Sequence, residues 1–433
     1  MARIKLTYIG GGSTRAPGTV ASLIVRGAAF SGSEVALVDL DPEHLAIVER
    51  LAKRMAAARD LDLRISATTD RAEGLRDADI VLASFRPGGF EARVLDETIP
   101  LRHGVIGQET QGPGGFFMAL RSIAVFRTLM ADIERLAPRA TLINYTNPVN
   151  IVSQAITHHS AIPTISLCDG PLNFPADIVR AAGLDPSRLD AVHVGLNHTG
   201  WTVRQQYDGG DVIDRIRDAA ERLAATPSDD PRGDRMVRLA ATMGSLPAGY
   251  LDYYYFHRET LAEAIAKPTT RAQDIVAQTP DYWRHYEEQS RADAPELDPA
   301  RSRGGILELE LAIDVIDAIV NDRSTVWPVN VPNHGSPLAG FPEDLVVEVP
   351  AVVGRSGAAA LPQPPLPATV RGLIDALGAY QALTAEAAWS GTRRDGVAAL
   401  ASHPLVGSLS LAEAIYDEMS AAHRSYLPDR LLH

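Results

Sequence analysis

The chain has 433 residues, 45% hydrophobic and 22% charged: enough apolar mass for one large core or two ordinary ones, and a composition that excludes wholesale disorder. The formal net charge of −13 disfavours non-specific nucleic-acid binding, although a local arginine cluster can still hold an anion because distant charge is screened over about 10 Å. No run approaches the roughly 18 apolar residues of a membrane span and no leader-like segment precedes the first strand, so a cytoplasmic protein without nucleic-acid or membrane partners is expected.

Residues 6–9 read as a short buried strand, 16–26 as a helix and 34–38 as a second strand. A helix is expected over 44–58, strands over 63–67 and 80–84, a long helix over 121–136, and strands over 141–144 and 164–167. Such alternation implies a mostly parallel sheet covered by helices on both faces. The pattern changes near residue 190. Residues 190–207 alternate as antiparallel strands do, 211–325 are mainly helical, and 326–353 regain strand character. A Pro-rich connector at 363–367 leads into two or three closing helices over 368–423, which are expected to pack back onto the first half. The expected organisation is a Rossmann-like, doubly wound α/β domain over 1–190. An α+β domain over 191–433 completes an architecture like that of lactate and malate dehydrogenases.

Gly10-Gly11-Gly12-Ser13-Thr14 lies between the first strand and the first helix. There glycine permits a tight turn and lets backbone N–H groups approach a pyrophosphate at the helix N-terminus. Arg15 stands where a third glycine is usual. Asp39 follows the second strand, where an acid accepts from ribose hydroxyls and repels a 2′-phosphate, so NAD is expected rather than NADP.

Cys168 follows the strand at 164–167, and His198 lies thirty residues on in Gly195-Leu196-Asn197-His198-Thr199-Gly200-Trp201. The lone thiol excludes an internal disulfide and suits a reducing compartment. A Cys and a His can share a divalent metal and leave positions open for substrate oxygens. Spacing alone favours a buried structural thiol and a structural His, and by itself the run of Tyr250, Tyr253, Tyr254 and Tyr255 favours packing aromatics.

Longer motifs weigh on that choice. They include Gly10–Thr14, residues 86–100 (RPGGFEARVLDETIP), Gly104-Val105-Ile106-Gly107-Gln108-Glu109-Thr110 and Gly112-Pro113-Gly114-Gly115. Asn144-Tyr145-Thr146-Asn147-Pro148, Tyr250-Leu251-Asp252-Tyr253-Tyr254-Tyr255, Arg303-Gly304-Gly305, Val329-Asn330-Val331-Pro332-Asn333 and His403-Pro404-Leu405-Val406-Gly407 continue them. With the Cys168 and His198 segments, they resemble glycoside hydrolase family 4 over nearly the whole chain. Those NAD- and metal-dependent glycosidases depart from the two-carboxylate rule. The resemblance implies Cys168 and His198 as metal ligands, Mn²⁺ as the usual ion, and Tyr250 as the base. It places Asp169 where some members have an acid and Glu109 near the reacting centre. Arg93 and Asn147 match residues that hold the sugar and its 6-phosphate, and Arg303 is a further substrate-binding candidate. It implies transient oxidation of the sugar at C3 by NAD⁺, metal-assisted removal of the C2 proton, elimination, addition of water and return of the hydride. Positive charge near Tyr250 is then expected, to bring its pKa down from about 10. A phosphorylated disaccharide or glycoside is the implied substrate, and a homodimer or homotetramer the implied assembly.

Two positions depart from the β-specific pattern. Asp169 stands where members acting on 6-phospho-α-glucosides commonly have Asp and β-specific members Asn. Asp252 stands where β-specific members often have Arg, and an acid there repels phosphate, so either Arg86, Arg93 or Arg303 compensates or the substrate is a glycoside without phosphate. Overall similarity favours the β anomer. The rival readings are a plain NAD-dependent hydroxyacid dehydrogenase and a non-catalytic sugar-phosphate sensor.

Overall fold

The computed structural model describes residues 3–303 and 310–433. Twelve strands are present among them: β1 Lys5–Ile9, β2 Ser33–Val38, β3 Leu63–Thr68, β4 Ile80–Ala83, β5 Thr141–Asn144, β6 Thr164–Ser166, β7 Leu189–Val194, β8 Trp201–Tyr207, β9 Gly210–Asp211, β10 Thr325–Pro332, β11 Val346–Gly354 and β12 Gly357–Ala360. The first six run parallel, in the order β3-β2-β1-β4-β5-β6. That is the doubly wound Rossmann order, and the order reverses between β1 and β4. Ligands of such sheets bind outside the carboxyl ends of the strands at that switch point.

Residue alternation along these strands builds a core on each face of the sheet. Leu6 and Tyr8 of β1, Ile80 and Leu82 of β4 and Ile143 of β5 face one cluster; Ile9, Val81, Ala83 and Leu142 face the other. Each large apolar side chain so buried contributes about 1.5–3 kcal/mol. Strand bounds agree with the sequence expectation to within a residue or two. The long helix does not: it runs Gly112–Leu136, nine residues earlier than expected.

The second half joins the same sheet. β10 pairs antiparallel with β6 through Asn330 and Ser166, and β11 and β12 extend the edge. β7, β8 and β9 form a separate antiparallel sheet. The closing helices Ala368–Trp389, Arg393–Ala401 and Leu409–Ala422 contribute Tyr380, Leu400 and Tyr416 to the cluster that also holds Phe116 and Phe117. They therefore pack back on the first half. Gly304 and Gly305 of the Arg303-Gly304-Gly305 motif lie outside the described residues.

Candidate active site

The turn after β1 sits at the switch point. Gly10 has φ +101°, and a Cβ on it would fall 2.1 Å from the Ser84 carbonyl oxygen beyond β4, so no other residue fits there. The Gly10 and Gly11 N–H groups donate to the Val38 carbonyl at 2.9 and 3.0 Å. Gly12 N–H donates to Asp39 Oδ2 at 2.8 Å, which draws the acid against the turn. Ser13 and Thr14 follow, and the helix begins at Ala16. Tyr286 OH donates to the Thr14 carbonyl at 3.0 Å and accepts from the Arg303 N–H at 2.9 Å. One phenol thus ties Arg303 to the glycine turn.

Cys168 and His198 meet although they come from different sheets. Cys168 lies just past β6, and His198 in the loop between β7 and β8. Cys168 Sγ is 3.5 Å from His198 Nε2, and both residues are buried. The loop is held by paired backbone bonds between Gly195 and Glu348 of β11, and by Asn197 Nδ2 donating to Glu348 Oε1 at 2.8 Å. His198 has φ +69°, a left-handed conformation uncommon for a residue with a side chain. Tyr250 stacks on the His198 ring at 4.1 Å, with the planes 17° apart. Asp169 is half-buried beside the thiol and accepts from Asn173 Nδ2 at 3.3 Å.

Electrostatics inside this group bear on Tyr250. Burial, Glu109 and Cys168 push its phenol above the ordinary value, against the pull of Arg232 and Arg93. The chain's own charges therefore do not bring it down. Burial, reinforced by Glu348 and Asp169, also raises the Cys168 thiol. Burial holds His198 down to about 4, so its imidazole is neutral at physiological pH. A neutral imidazole is the form that binds metal.

Beside the Tyr250 ring opens a cleft of about 1190 Å³ lined by Arg15, Arg93, Glu109, Tyr250, Arg232 and Arg303, among others. Arg93 is buried, bonded to Glu97 at 2.6 Å and to Glu109 at 3.0 Å, and Arg86 also pairs with Glu109. Burial opposes ionisation of Glu109, yet Arg86 and Arg93, with Arg15 and Arg303 beyond, hold it down to about 2. Burial and the neighbouring Arg15 and Arg86 push Arg303 down to about 9. Asn147 lies beyond β5 on the same sheet edge, and its backbone carbonyl accepts from Ser122 Oγ at 3.2 Å.

Asp252 does not face the cleft as a bare charge. It is buried against Arg235 at 3.2 Å and Arg232 at 3.4 Å. The compensation comes from these two arginines of the helix Pro231–Met243, not from Arg86, Arg93 or Arg303. Sequence reading missed them, as it missed Glu348 and Asn197. Thr110, next to Glu109, brings its hydroxyl to 3.0 Å from His198 Nδ1.

A Rossmann sheet with a glycine turn and an acid at its switch point, opening beside a buried Cys–His pair, defines a dinucleotide-dependent enzyme. The chain belongs to family 4 of the glycosyl hydrolases: the model of that family matches residues 5–184 and the model of its C-terminal domain matches residues 193–406. It is 35% identical to the probable 6-phospho-beta-glucosidase of Bacillus subtilis, with 98% of this chain and 97% of that one covered. Identity to the 6-phospho-beta-glucosidase of Escherichia coli is 32%, covering 99% and 97%. Among solved structures, the Thermotoga maritima 6-phospho-beta glucosidase with manganese, NAD⁺ and glucose-6-phosphate matches at a TM-score of 0.84 and 26% identity, covering 98% and 99%. Membership of this family sets aside the plain dehydrogenase reading.

The residues present fit both groups that the family implies. The glycine turn leaves backbone rather than side chains facing the switch point. For the metal, Cys168 Sγ and His198 Nε2 face each other 3.5 Å apart, close enough to bind one cation together. Among the described residues no group of three or more His, Cys, Asp or Glu is placed to hold a metal. A cation on Cys168 and His198 therefore keeps positions open for oxygen ligands from outside the protein, as a catalytic site requires.

Proposed function

We propose that the chain hydrolyses 6-phospho-β-glucosides, with NAD⁺ and a divalent metal such as Mn²⁺ as cofactors. The observation that carries this reading is the stack of Tyr250 on His198, itself facing Cys168, beside a cleft that also presents Arg93 and Arg303. The β assignment is supported by the names of the Bacillus and Escherichia relatives. When bound, NAD⁺ supplies a hydride acceptor for C3 of the sugar and the metal supplies charge that acidifies the C2 proton.

The chain's own residues do the rest. The glycine turn and Asp39 orient the dinucleotide, and Cys168 and His198 hold the metal. Tyr250 takes the C2 proton on its phenolic oxygen, which needs the added positive charge because the protein alone raises its pKa. Arg93, Arg303 and Asn147 bind the sugar and its phosphate. Glu109 keeps Arg86 and Arg93 in place and ionised around the substrate. Asp169, beside Cys168, is the candidate acid toward the leaving oxygen. The same residue favours a second reading, the α anomer. We further propose that the protein works in the cytoplasm, a reducing compartment that its single thiol suits, and that it assembles as the homodimer or homotetramer that the family resemblance implies.

A panel of p-nitrophenyl α- and β-glucosides, each with and without a 6-phosphate, tests the reading in the presence of NAD⁺, Mn²⁺ and a reductant. Turnover of the phosphorylated β-glucoside is expected. Preference for the phosphorylated α-glucoside moves the assignment to the second reading, and turnover indifferent to phosphate removes the role given to Arg93 and Arg303.

A further inference from the structure

A neutral imidazole offers a metal the nitrogen that carries no proton, and the partner of its other nitrogen decides which one that is. His198 Nε2 faces Cys168 Sγ, while Nδ1 lies 3.0 Å from Thr110 Oγ1. Thr110 Oγ1 is in turn 2.9 Å from Gln108 Oε1. That oxygen also accepts the backbone N–H groups of Thr110 at 2.5 Å and Gln111 at 2.8 Å.

The direction of every bond in this chain is fixed by counting hydrogens. Two backbone N–H donors converge on one terminal atom of the Gln108 amide, so that atom is the carbonyl oxygen. Turning the amide over would set its NH₂ against two donors. A carbonyl oxygen cannot donate, and a Thr110 hydrogen given to His198 Nδ1 would leave two oxygens 2.9 Å apart with no hydrogen between them, so both contacts are satisfied only when the hydroxyl hydrogen goes to Gln108. The Thr110 oxygen is then left to accept, and the only donor His198 can present to it is Nδ1–H. A neutral ring with its proton on Nδ1 has a bare lone pair on Nε2.

We infer that Gln108 and Thr110 are positioning residues that lock His198 in the Nδ1–H tautomer and so aim Nε2 at the metal position beside Cys168. The inference rests on the assignment of Cys168 and His198 as the metal pair. It makes the metal site ready before cation or sugar arrives, because the tautomer is set by protein groups alone. It also gives the Gly107-Gln108-Glu109-Thr110 segment two tasks on alternate sides: Glu109 faces the arginines, while Gln108 and Thr110 serve the histidine.

The test uses the full-length protein with histidine labelled in ¹⁵N. Long-range ¹H–¹⁵N spectra of the metal-free protein report the tautomer of His198, its signals assigned by their loss in His198→Gln. Binding of Mn²⁺ alone is then followed by the electron paramagnetic resonance of the free ion in wild type, Thr110→Val and Thr110→Ser. The Nδ1–H tautomer is expected in wild type and Thr110→Ser. Thr110→Val, which keeps shape but cannot accept, is expected to lose the tautomer preference and bind Mn²⁺ about 10–100-fold more weakly. Thermal midpoint and NAD⁺ binding should stay at wild-type values, and Thr110→Ser should restore Mn²⁺ affinity. An Nε2–H tautomer in the wild type overturns the inference, as does wild-type Mn²⁺ affinity in Thr110→Val. Unchanged Mn²⁺ binding in Cys168→Ser and His198→Gln would instead remove the metal pair, and the spectra of the metal-free protein would still decide the tautomer.

Discussion

Cys168 is the residue at which the structural and chemical readings part most cleanly. As a small buried hydrophobe it contributes packing, and serine in its place would cost stability. As a metal ligand it contributes little to the metal-free fold. Cys168→Ser is therefore expected to abolish Mn²⁺-dependent turnover while leaving NAD⁺ binding and the thermal midpoint nearly unchanged; a large drop in the midpoint would return the thiol to the structural role.

Two buried carboxylates at this scale titrate in opposite senses. Glu109 has its folded pKa depressed to about 2 from an ordinary carboxylate value, so its stabilisation is present above about pH 4.5 and lost as pH falls towards 2. Glu109→Gln should flatten the acid limb of a stability–pH curve. It should also cost about 3–5 kcal/mol at neutral pH, because Arg86 and Arg93 lose their counter-charge. Glu348 is the reverse case. Burial pushes it up to about 7, with Asn330 and Asn197 pulling the other way, so stability falls as pH rises from about 4.5 through 7. In protein stripped of metal, Glu348→Gln should melt higher than wild type at pH 8 and close to it at pH 5. A variant that melts lower at both would show that the carboxylate is needed in its charged form. Neither behaviour is legible in sequence. Asn197 and Glu348 are 151 positions apart, and nothing local marks that they share a bond. The glycine turn and Asp39 were legible because a strand, a turn and an acid at fixed offsets carry their own geometry.

At the scale of elements, the helix Gly112–Leu136 shows why a breaker can mislead. Gly112-Pro113-Gly114-Gly115 punctuates a sequence as a turn does. Here proline occupies the first turn, where its missing N–H costs nothing, and the glycines serve close approach. A Cβ on Gly114 would fall 2.3 Å from the Gln108 carbonyl and 2.5 Å from that of Asp96. The small residues thus let the Gln108–Thr110 segment lie directly on the helix end, next to His198. The same helix carries Arg121, fully buried and bonded to both oxygens of Asp96 at 2.9 and 2.6 Å, while His423 Nε2 lies 3.0 Å from Asp96. This triad joins Gly112–Leu136 to Gly89–Arg102 and to the end of Leu409–Ala422. Asp96→Ala leaves a buried guanidinium uncompensated and should lower unfolding free energy by about 3–5 kcal/mol in a denaturant titration. A loss under about 1 kcal/mol, the worth of a surface pair, would show that water or another acid takes its place.

For the whole molecule, the sequence reading located the change of pattern near residue 190 but not its consequence for the sheet. β10, β11 and β12 extend the Rossmann sheet past β6, and β11 carries the Glu348 that anchors the His198 loop. The candidate metal pair thus depends on a strand about 150 residues further along the chain than the loop it supports. Residue periodicity reveals that β11 is a strand; only the tertiary pairing reveals where it lies. The glycosidase reading depends on the whole arrangement, because the hydride site at the β1–β4 switch point, the Cys168–His198 pair and Tyr250 must act on one sugar ring. Solvent exchange at C2 tests that most directly. With the phosphorylated β-glucoside carrying deuterium at C2, proton abstraction predicts that the recovered glucose 6-phosphate has lost the label to solvent. Full retention of deuterium during turnover would contradict a route through C3 oxidation and C2 deprotonation.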